Sequence, residues 1–579
     1  MADKNGIFSQ VDPGRKLYRS GFNRSKRNMF DAFPGRLYPV YVDNMIPGDI
    51  KKLRLNWSIK ANPSVTPINT PVKVSFFAFF VPWAQIFGEE YGDSSDHFIQ
   101  DILSGGKDGN NTDTIPLLSN ARCFFDHDAN GVGLNGNNAV TGSSASLAYV
   151  CSLSNYFGYP TFRVTGKSAG TVVPAIKYAP TVTWHRAYWR IVRDYFINED
   201  TQSDLMDEVF KDGSGSELDS HDGQGTLNGY LPFPTLWSRD YFMSCLSDYL
   251  KGTPPALSLG SLTVPQGALS SHMLDFAGGH EGQLLANQTS SSGFSYMTHN
   301  GTVTAEKEVA HLRVPATPVT LPVNGSISVD DLRLAFATQR ILERANRCGS
   351  RYTEYLLSTF GTAPADGSLR RPYYLGGIRS QIVTPEVLQT SQSGDTPQGN
   401  RAGVGFSIGR NGFPTYHAKE FGTFMVVCNI EPEASYCDGL SREATRKSRF
   451  DFFNPSYQNL TEDVIKAGEI FADPCGTVSG YDPSAPFGYQ GIYNDMRTSF
   501  DQISGNFRYG ELDTWHMALR FTTKPALNAR FQRIWTYKKD WMRPFAVQNM
   551  PPYLFDLNLD VRDIRPMVKF PVPGLIDHN

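Results

Sequence analysis

The residues best suited to chemistry in this sequence are cations interleaved with aromatic side chains near its carboxyl end. Between Arg520 and Phe545, lysines and arginines mix with phenylalanine, tyrosine and tryptophan. Cations neutralise phosphates and flat rings stack on unpaired bases, so this mixture favours contact with single-stranded nucleic acid. The alternative is a strand with core aromatics and solvated charges. The candidate nucleic-acid contacts in this segment are Arg530, Arg533, Lys538, Lys539 and Trp541.

Two other stretches are basic. Residues 1–35 are polar and positively charged, which predicts an N-terminal arm and not a core element, and the loop SREATRKSRF lies at 441–450. Acidic residues concentrate instead at 194–222, and the whole chain has a net charge of −3. A shell protein would use this polarity by turning basic surface toward a genome. The candidate contacts in these stretches are Arg24, Lys26, Arg27, Arg446, Lys447 and Arg449.

Motifs for enzymatic or cofactor chemistry are weak. GVGLNG at 131–136 matches a dinucleotide-binding pattern but lacks the flanking strand and helix, and TGKS at 165–168 lacks the upstream glycine of a phosphate-binding loop. No histidine lies in a catalytic motif, and no carboxylate spacing selects the acid and base of a glycosidase. Seven scattered cysteines without a CxxC pair predict reduced thiols. We therefore expect no enzyme, no metal and no cofactor.

The stretch PVKVSFFAFFVPW at 71–83 concentrates aromatic side chains. Its apolar run is too short for a membrane-spanning helix, which needs about 20 residues, and the N-terminus has no apolar signal core. Alternation of side chains predicts a strand. A half-buried strand needs only one apolar face, but here the second face also becomes apolar toward the end of the stretch. We expect an inserted segment or a neighbouring subunit to cover that second face. Its candidate residues are Phe77, Phe79, Val81 and Trp83.

Strands with a period of two lie near both ends of the chain. LRLNWSIK at 53–60, FGTFMVVCNI at 421–430 and TWHMALRF at 514–521 carry the pattern, and their separation indicates pairing through long connections in a Greek-key sandwich. Weakly patterned stretches between them predict insertions. Capping residues and helical spacing predict two short helices at 328–361. The predicted organisation is an arm at 1–35 and one domain at 36–579, with a projecting insertion at about 200–326.

The sequence resembles the major capsid proteins of microviruses, the small single-stranded DNA bacteriophages, and is most similar to the gokushovirus group. The matching stretches occur in family order along almost the whole chain, and the ordered set is more specific than any member. They are FDAFPGRLYPVYVDNMIPGD (30–49), FFAFFVPW (76–83), SLSNYFGYP (152–160), RDYFMSCL (239–246), PPALSLG (254–260), LRLAFATQRILERANRCGSRYTEYLLSTFG (332–361), RRPYYLGG (370–377), DTPQGN (395–400), FGYQGIYNDMRTSFDQISGNFR (487–508) and DTWHMAL (513–519).

This resemblance implies an all-β fold, an eight-stranded antiparallel viral jelly roll with long inserted loops and a few short helices. It implies a T=1 icosahedral shell of sixty copies around a circular single-stranded DNA genome, assembled in the cytoplasm of a bacterial host and found in the virion. The insertion would form surface protrusions that contact a host receptor. The need for a minor internal or scaffolding protein stays open, and no membrane is implied. Individual DNA contacts do not transfer, because the basic residues lie outside the matching motifs.

Two other classes of protein compete with a capsid subunit. A carbohydrate-binding or carbohydrate-active β-sandwich would stack sugars on Trp184, Trp189 and Trp237. A soluble single-stranded DNA-binding protein would bind DNA tightly as a monomer, whereas a capsid subunit should bind appreciably only on assembly. Neither class would share the ordered motifs.

Overall fold

The fold is described from a computed structural model. The structure describes residues 18–104, 112–118, 124–128, 149–163, 178–202, 231–252, 329–348, 352–362, 365–366, 370–388, 401–449, 451–458, 462–547 and 550–570, together with short strands between 218 and 322. All further structural statements refer to these residues.

Ten strands build the two principal sheets, and every pairing within them is antiparallel. The strands are β1 Ser20–Asn23, β2 Lys26–Ala32, β3 Leu37–Met45, β4 Ile50–Ala61, β5 Val72–Pro82, β6 Tyr373–Ile382, β7 Phe406–Gly412, β8 Tyr416–His417, β9 Gly422–Pro432 and β10 Tyr553–Arg565. One sheet has β10 and β4 at its centre, with β1 and β2 along one side and β7 and β8 along the other. The second has the order β6, β5, β9, β3.

Alternating side chains explain the strands that the sequence predicted. In β4, Leu53, Leu55, Trp57 and Ile59 are buried, whereas the residues between them are exposed or half-buried. This is the period of a strand with one face in the core. The predictions over 53–60 and 421–430 are confirmed by β4 and β9. The predicted strand over 514–521 is wrong, because Gly510–Trp515 is a 3-10 helix and the rest forms only an isolated bridge.

The facing sides of the two sheets share one hydrophobic core. Inward residues of β4 and β10 lie in it with inward residues of β5 and β9, including Leu557, Phe76 and Val426. A second core lies on the other side of the four-stranded sheet, where Phe79 and Met425 join side chains from helix Thr183–Ile191. The four-stranded sheet is therefore buried on both faces.

Part of the predicted arm belongs to a sheet. Ser20–Asn23 and Lys26–Ala32 pair with β10 in register, from Ser20 opposite Arg565 to Ala32 opposite Tyr553. The N-terminal prediction over 1–35 is therefore corrected for residues 20–32, because their backbone groups are satisfied by the edge of the sheet. Residues 1–17 lie outside the described residues.

Two helices follow one another where the sequence predicted a helical connection at 328–361. They span Val329–Cys348 and Tyr352–Phe360. Other helices are short and lie in the connections: Phe98–Ser104, Leu153–Tyr156, Arg442–Thr445, Ala467–Ile470, Ala529–Gln532 and Lys538–Met542. Minor strand pairs include Glu386–Leu388 with Arg401–Gly403, Ser435–Tyr436 with Asp501–Gln502, and Glu462–Lys466 with Pro486–Gly491.

The chain divides into two compact units. One comprises residues 1–249 and 348–579 and contains both principal sheets; the other is Leu250–Arg347. The second unit holds antiparallel strand pairs, Ser261–Val264 with Val319–Pro322, Leu274–Asp275 with His311–Leu312, and Leu284–Thr289 with Ser295–His299. The sequence placed an insertion at about 200–326, and the compact unit is shifted toward the carboxyl side of that range.

Candidate assembly and nucleic-acid surfaces

The second face of β5 is covered by the same chain. Phe79 is 1% exposed, and its ring centroid lies 4.9 Å from that of Tyr195 and 5.5 Å from that of Tyr374. Val81 is fully buried in the same core, and half-buried Phe77 packs edge-on against Phe196 at 5.8 Å. A neighbouring subunit therefore cannot reach Phe79 or Val81, because the segment after helix Thr183–Ile191 already occupies that space.

Trp83 lies at the edge of this covered face. It is half-buried, its indole N–H donates to the Thr423 hydroxyl at 3.0 Å, and its ring stacks on Phe421 at 5.7 Å. Its polar group is satisfied within the chain, and part of the ring faces outward.

The tryptophans of the carbohydrate alternative form no platform for sugars. Trp189 and Trp237 are each 5% exposed. Trp184 is half-buried, stacked on Tyr159 at 5.4 Å, and its indole N–H donates to Asn44 at 2.9 Å. Their rings are thus used in packing, which removes the observation on which that alternative depended.

The basic candidates before β3 are engaged to different degrees. Arg24 donates to Asp43 at 2.5 Å and Arg27 donates to Asp556 at 2.6 Å. The Lys26 ammonium lies 5.0 Å from the centre of the Tyr41 ring. Arg24 therefore belongs to an internal ion cluster, and the charges of the other two are partly balanced by neighbours.

The cations of the segment 441–450 differ in their exposure to solvent. The Arg446 side chain is only 12% exposed and forms an ion pair with Asp495, whose side chain is 8% exposed. Lys447 and Arg449 are exposed. Arg446 is therefore corrected from a phosphate contact to a structural ion pair, because its charge is neutralised below the surface.

The basic and aromatic segment near the carboxyl end is mostly core. Trp541 is fully buried, donates from its indole N–H to the Ile534 carbonyl at 3.0 Å, and packs against Trp535. Arg533 is only 7% exposed. Neither can contact DNA, so both predictions are wrong, and the alternative of core aromatics holds for Trp541.

The remaining cations of that segment lie nearer the surface. Lys538 is half-buried over the rings of Phe33 and Trp535, at 5.1 and 5.2 Å. Arg530 and Lys539 are exposed. Since the segment folds into short helices, its cations do not form the continuous stripe that a strand would give.

A buried ion cluster, which the sequence analysis missed, joins the two principal sheets. Lys51 on β4 is 1% exposed, and its ammonium donates to Asp563 on β10 at 2.9 Å and to Asp43 on β3 at 2.6 Å. Arg24 and Arg565 add further contacts to these two carboxylates. Burial alone would raise the pKa of Asp43, but the charges and hydrogen bonds of Lys51 and Arg24 outweigh it and hold that pKa below its ordinary value.

A second set of buried charges surrounds Asp540. Burial raises the pKa of this carboxyl to about 6, although the charge of Arg543, 3.4 Å away, opposes the shift. Burial also lowers the pKa of His516, whose ring Nε2–H donates to the Phe507 carbonyl oxygen at 2.8 Å. These groups lie in short helices and turns of the compact unit that contains both principal sheets.

Asp540 makes stability depend on pH. Because its folded pKa lies above the ordinary value of 3.8, its contribution favours folding below pH 4 and is lost as the pH rises through about 6. As the pH rises from 5 to 7, we expect the wild type to lose about 1 kcal/mol of unfolding free energy relative to the Asp540→Asn variant, after allowing for the partial exposure of the carboxyl. Urea unfolding of both proteins at the two pH values measures this. A difference that does not change with pH would contradict it.

An exposed apolar helix stands out on the surface. In Tyr352–Phe360, Tyr352 is 65% exposed, Leu357 is 58% exposed and Phe360 is 63% exposed. Exposed apolar side chains that lie together on one element often mark protein contacts. The helix is therefore a candidate interface.

Neither a metal-binding cluster of side chains nor a membrane-spanning helix is found in the described parts of the chain. There, no group of three or more His, Cys, Asp or Glu side chains could hold a metal ion. A search of the same residues also finds no helix with the length and apolar character needed to cross a bilayer.

The chain is a β-protein with two packed antiparallel sheets and long connections. Its exposed apolar helix is a surface suited to contact with other proteins. The chain belongs to the family described as capsid protein (F protein), which matches residues 9–120 and 152–575. Its role as a capsid protein is thereby established.

Three relatives that align with nearly the whole chain are also named as capsid proteins. The chain is 27% identical to capsid protein VP1 of Chlamydia phage 1, over 98% of this chain and 97% of the relative. It is 27% identical to capsid protein VP1 of Bdellovibrio phage phiMH2K, again over 98% and 97%. It is 25% identical to capsid protein VP1 of Spiroplasma virus 4, over 93% and 92%.

Proposed function

We infer that this capsid protein assembles as sixty copies into a closed T=1 icosahedral shell around a circular single-stranded DNA genome. The observation that carries the inference is the match to the capsid family over residues 9–120 and 152–575. Relatives named as capsid proteins of phages and of a virus support it along the same length. The function is structural, and the chain acts in the virion after assembly in the cytoplasm of a bacterial host.

The fold of the subunit is the eight-stranded viral jelly roll. β1 with β2, and β7 with β8, each act as one broken strand, so each sheet is four strands wide. Counted in chain order, the first, third, sixth and eighth strands form one sheet, and the second, fourth, fifth and seventh form the other. Their orders across the sheets are first–eighth–third–sixth and fifth–fourth–seventh–second. This interleaving, with a connection of about 290 residues between β5 and β6, supports a Greek-key jelly roll with long insertions.

Subunit contacts supply the energy of assembly. Obligate interfaces bury on the order of 2,000 Å2 or more and are rich in apolar side chains. The exposed helix Tyr352–Phe360 offers such side chains, and we assign it to a contact between neighbouring copies. Trp83 lies at a half-buried edge and is a second candidate contact.

The insertion is assigned to host attachment. The compact unit Leu250–Arg347 would stand as a surface protrusion that meets a receptor, as the resemblance to the gokushovirus group implies. A minor internal or scaffolding protein is the further partner proposed for assembly. The exposed cations Lys447, Arg449, Arg530 and Lys539 remain proposed DNA contacts.

Nuclease protection tests genome enclosure. DNA in particles purified from virus-producing cells is expected to resist DNase until the particles are opened, because a closed shell excludes the enzyme. After opening, a nuclease specific for single strands should degrade it. Naked DNA mixed with empty particles provides the control. Particles that hold no protected DNA, or hold only duplex DNA, would refute this part of the proposal.

A further inference from the structure

Among the residues that the structure describes, the outer side of the six-stranded sheet is largely exposed, in contrast to that of the four-stranded sheet. It consists of the outward residues of β2, β4, β7 and β10, which we call the open face. Cross-strand register places these residues in rows, for example Arg27 opposite Asn558, Asn558 opposite Asn56, and Asn56 opposite Arg410. Side chains in such rows lie close enough to act together on one ligand.

The open face is positively charged, although the whole chain has a net charge of −3. Six cations occupy its outward positions and are exposed to solvent, against three carboxylates on the same side. The cations are Arg27, Lys52, Arg54, Lys60, Arg410 and Arg562, and the carboxylates are Asp31, Asp556 and Asp560.

Two of the six cations have carboxylate partners on the face itself. Arg27 pairs with Asp556, and Arg562 lies 3.7 Å from Asp560. In the part of the chain that the structure describes, no ion pair is formed by the other four, Lys52, Arg54, Lys60 and Arg410. These four therefore form the positive centre of the face.

Apolar side chains accompany the cations. Phe406 is 46% exposed and Ile408 is 74% exposed, and they lie opposite Lys60 and Ser58 across the sheet. A flat exposed ring between cations can stack on a base while the cations neutralise phosphates. The open face thus combines the two features that a single-stranded polyanion requires.

We propose that the open face binds the phosphate backbone of the enclosed single-stranded DNA. The proposal rests on the proposed function and names where the genome lies against the subunit. Charge complementarity favours DNA over a second copy of this chain, because two such faces in contact would oppose positive charges. It also directs the open face toward the interior of the shell.

The test replaces the unpaired cations and measures DNA binding by the full chain. The probe is a fluorescent oligonucleotide of thirty thymidines, mixed with the subunits before assembly at several salt concentrations so that it can reach the inner face, and shell formation is followed separately by sedimentation. The variant carries four substitutions by glutamine, at Lys52, Arg54, Lys60 and Arg410. A matched control removes the same charge from exposed cations elsewhere in the sandwich unit, at Arg239, Arg401, Lys419 and Arg497.

We expect the open-face variant to form shells and to bind at least tenfold more weakly near 0.15 M salt. Each lost phosphate contact should lower the slope of log affinity against log salt by about 0.7, so the slope should fall by about 3. The control should keep the wild-type slope. If the quadruple variant does not fold, Arg54→Gln and Arg410→Gln alone should each lower the slope by about 0.7.

Two results would overturn the proposal. One is wild-type affinity and slope in the open-face variant. The other is loss of shells with unchanged oligonucleotide binding, which would make the face a contact between copies. Failure of the wild-type chain to form any shell would instead count against the proposed function, so the two failures are distinguishable.

Discussion

Replacing Leu357 and Phe360 together by glutamate is expected to reduce particle yield at least tenfold while leaving the subunit folded. The two side chains are 58% and 63% exposed on helix Tyr352–Phe360, so their removal costs the isolated subunit little. In an interface each would contribute about 1.5–3 kcal/mol through burial, and introduced carboxylates would add a desolvation penalty. The effect is repeated at every contact of the shell. Sucrose-gradient sedimentation of cell extracts measures the yield of particles.

The same helix provides a matched control. Thr359 is exposed and polar, so Thr359→Ser removes little apolar area and adds no charge, and we expect particles at near wild-type yield. Circular dichroism of both variants and of the wild type reports whether the subunit still folds. A normal yield of particles from the Leu357 and Phe360 double variant would show that this helix is not an assembly contact.

The second large effect is expected at the buried ion cluster. Lys51→Met removes the ammonium between Asp43 and Asp563 and leaves two carboxylates in an interior site, where Arg24 and Arg565 still contact them. Breaking a buried ion pair by removing one partner typically costs about 3–5 kcal/mol. We expect a loss near the lower end, about 3 kcal/mol, because the arginines compensate in part. Urea unfolding of the unassembled subunit measures it.

The adjacent lysine serves as its control. Lys52 is exposed on the same strand, so Lys52→Met should change the free energy of unfolding by less than about 0.5 kcal/mol. The pH dependence gives a further readout. The depressed pKa of Asp43 contributes stability above its ordinary value of 3.8, and this is lost as the pH falls below it. Lys51→Met should weaken that acid dependence; equal stabilities of the Lys51 and Lys52 variants would refute the role of the cluster.

The sequence predicted those parts of the fold that local alternation encodes. β4 could be predicted because its buried and outward residues alternate, and β9 because it is an almost continuous apolar run. β10 carries the same signal, with Tyr553, Phe555, Leu557, Leu559 and Val561 all buried, and could have been found in the same way. β6 and β7 contain glycines that weaken the pattern, so their pairing depends on partners distant in sequence.

The candidate surfaces were harder to predict, because a residue type does not say which side of the subunit it occupies. Trp541 has the composition of a base-stacking residue and yet lies in the core, through contacts made by other segments. Lys51 lies in phase with Leu53 and Leu55, which signals its inward position, but Asp563 is far away along the chain. The cations of the open face come from four strands and converge only once the sheet is formed.

The mass and shape of the particles test the central claim most directly. Sixty chains of 64.4 kDa make a protein shell of about 3.9 MDa with closed icosahedral symmetry. Cryo-electron microscopy with mass measurement of empty particles should therefore give one isometric species at that mass. A chain that remains monomeric, or that forms open filaments or shells with another number of copies, would contradict the T=1 assembly proposed for this capsid protein.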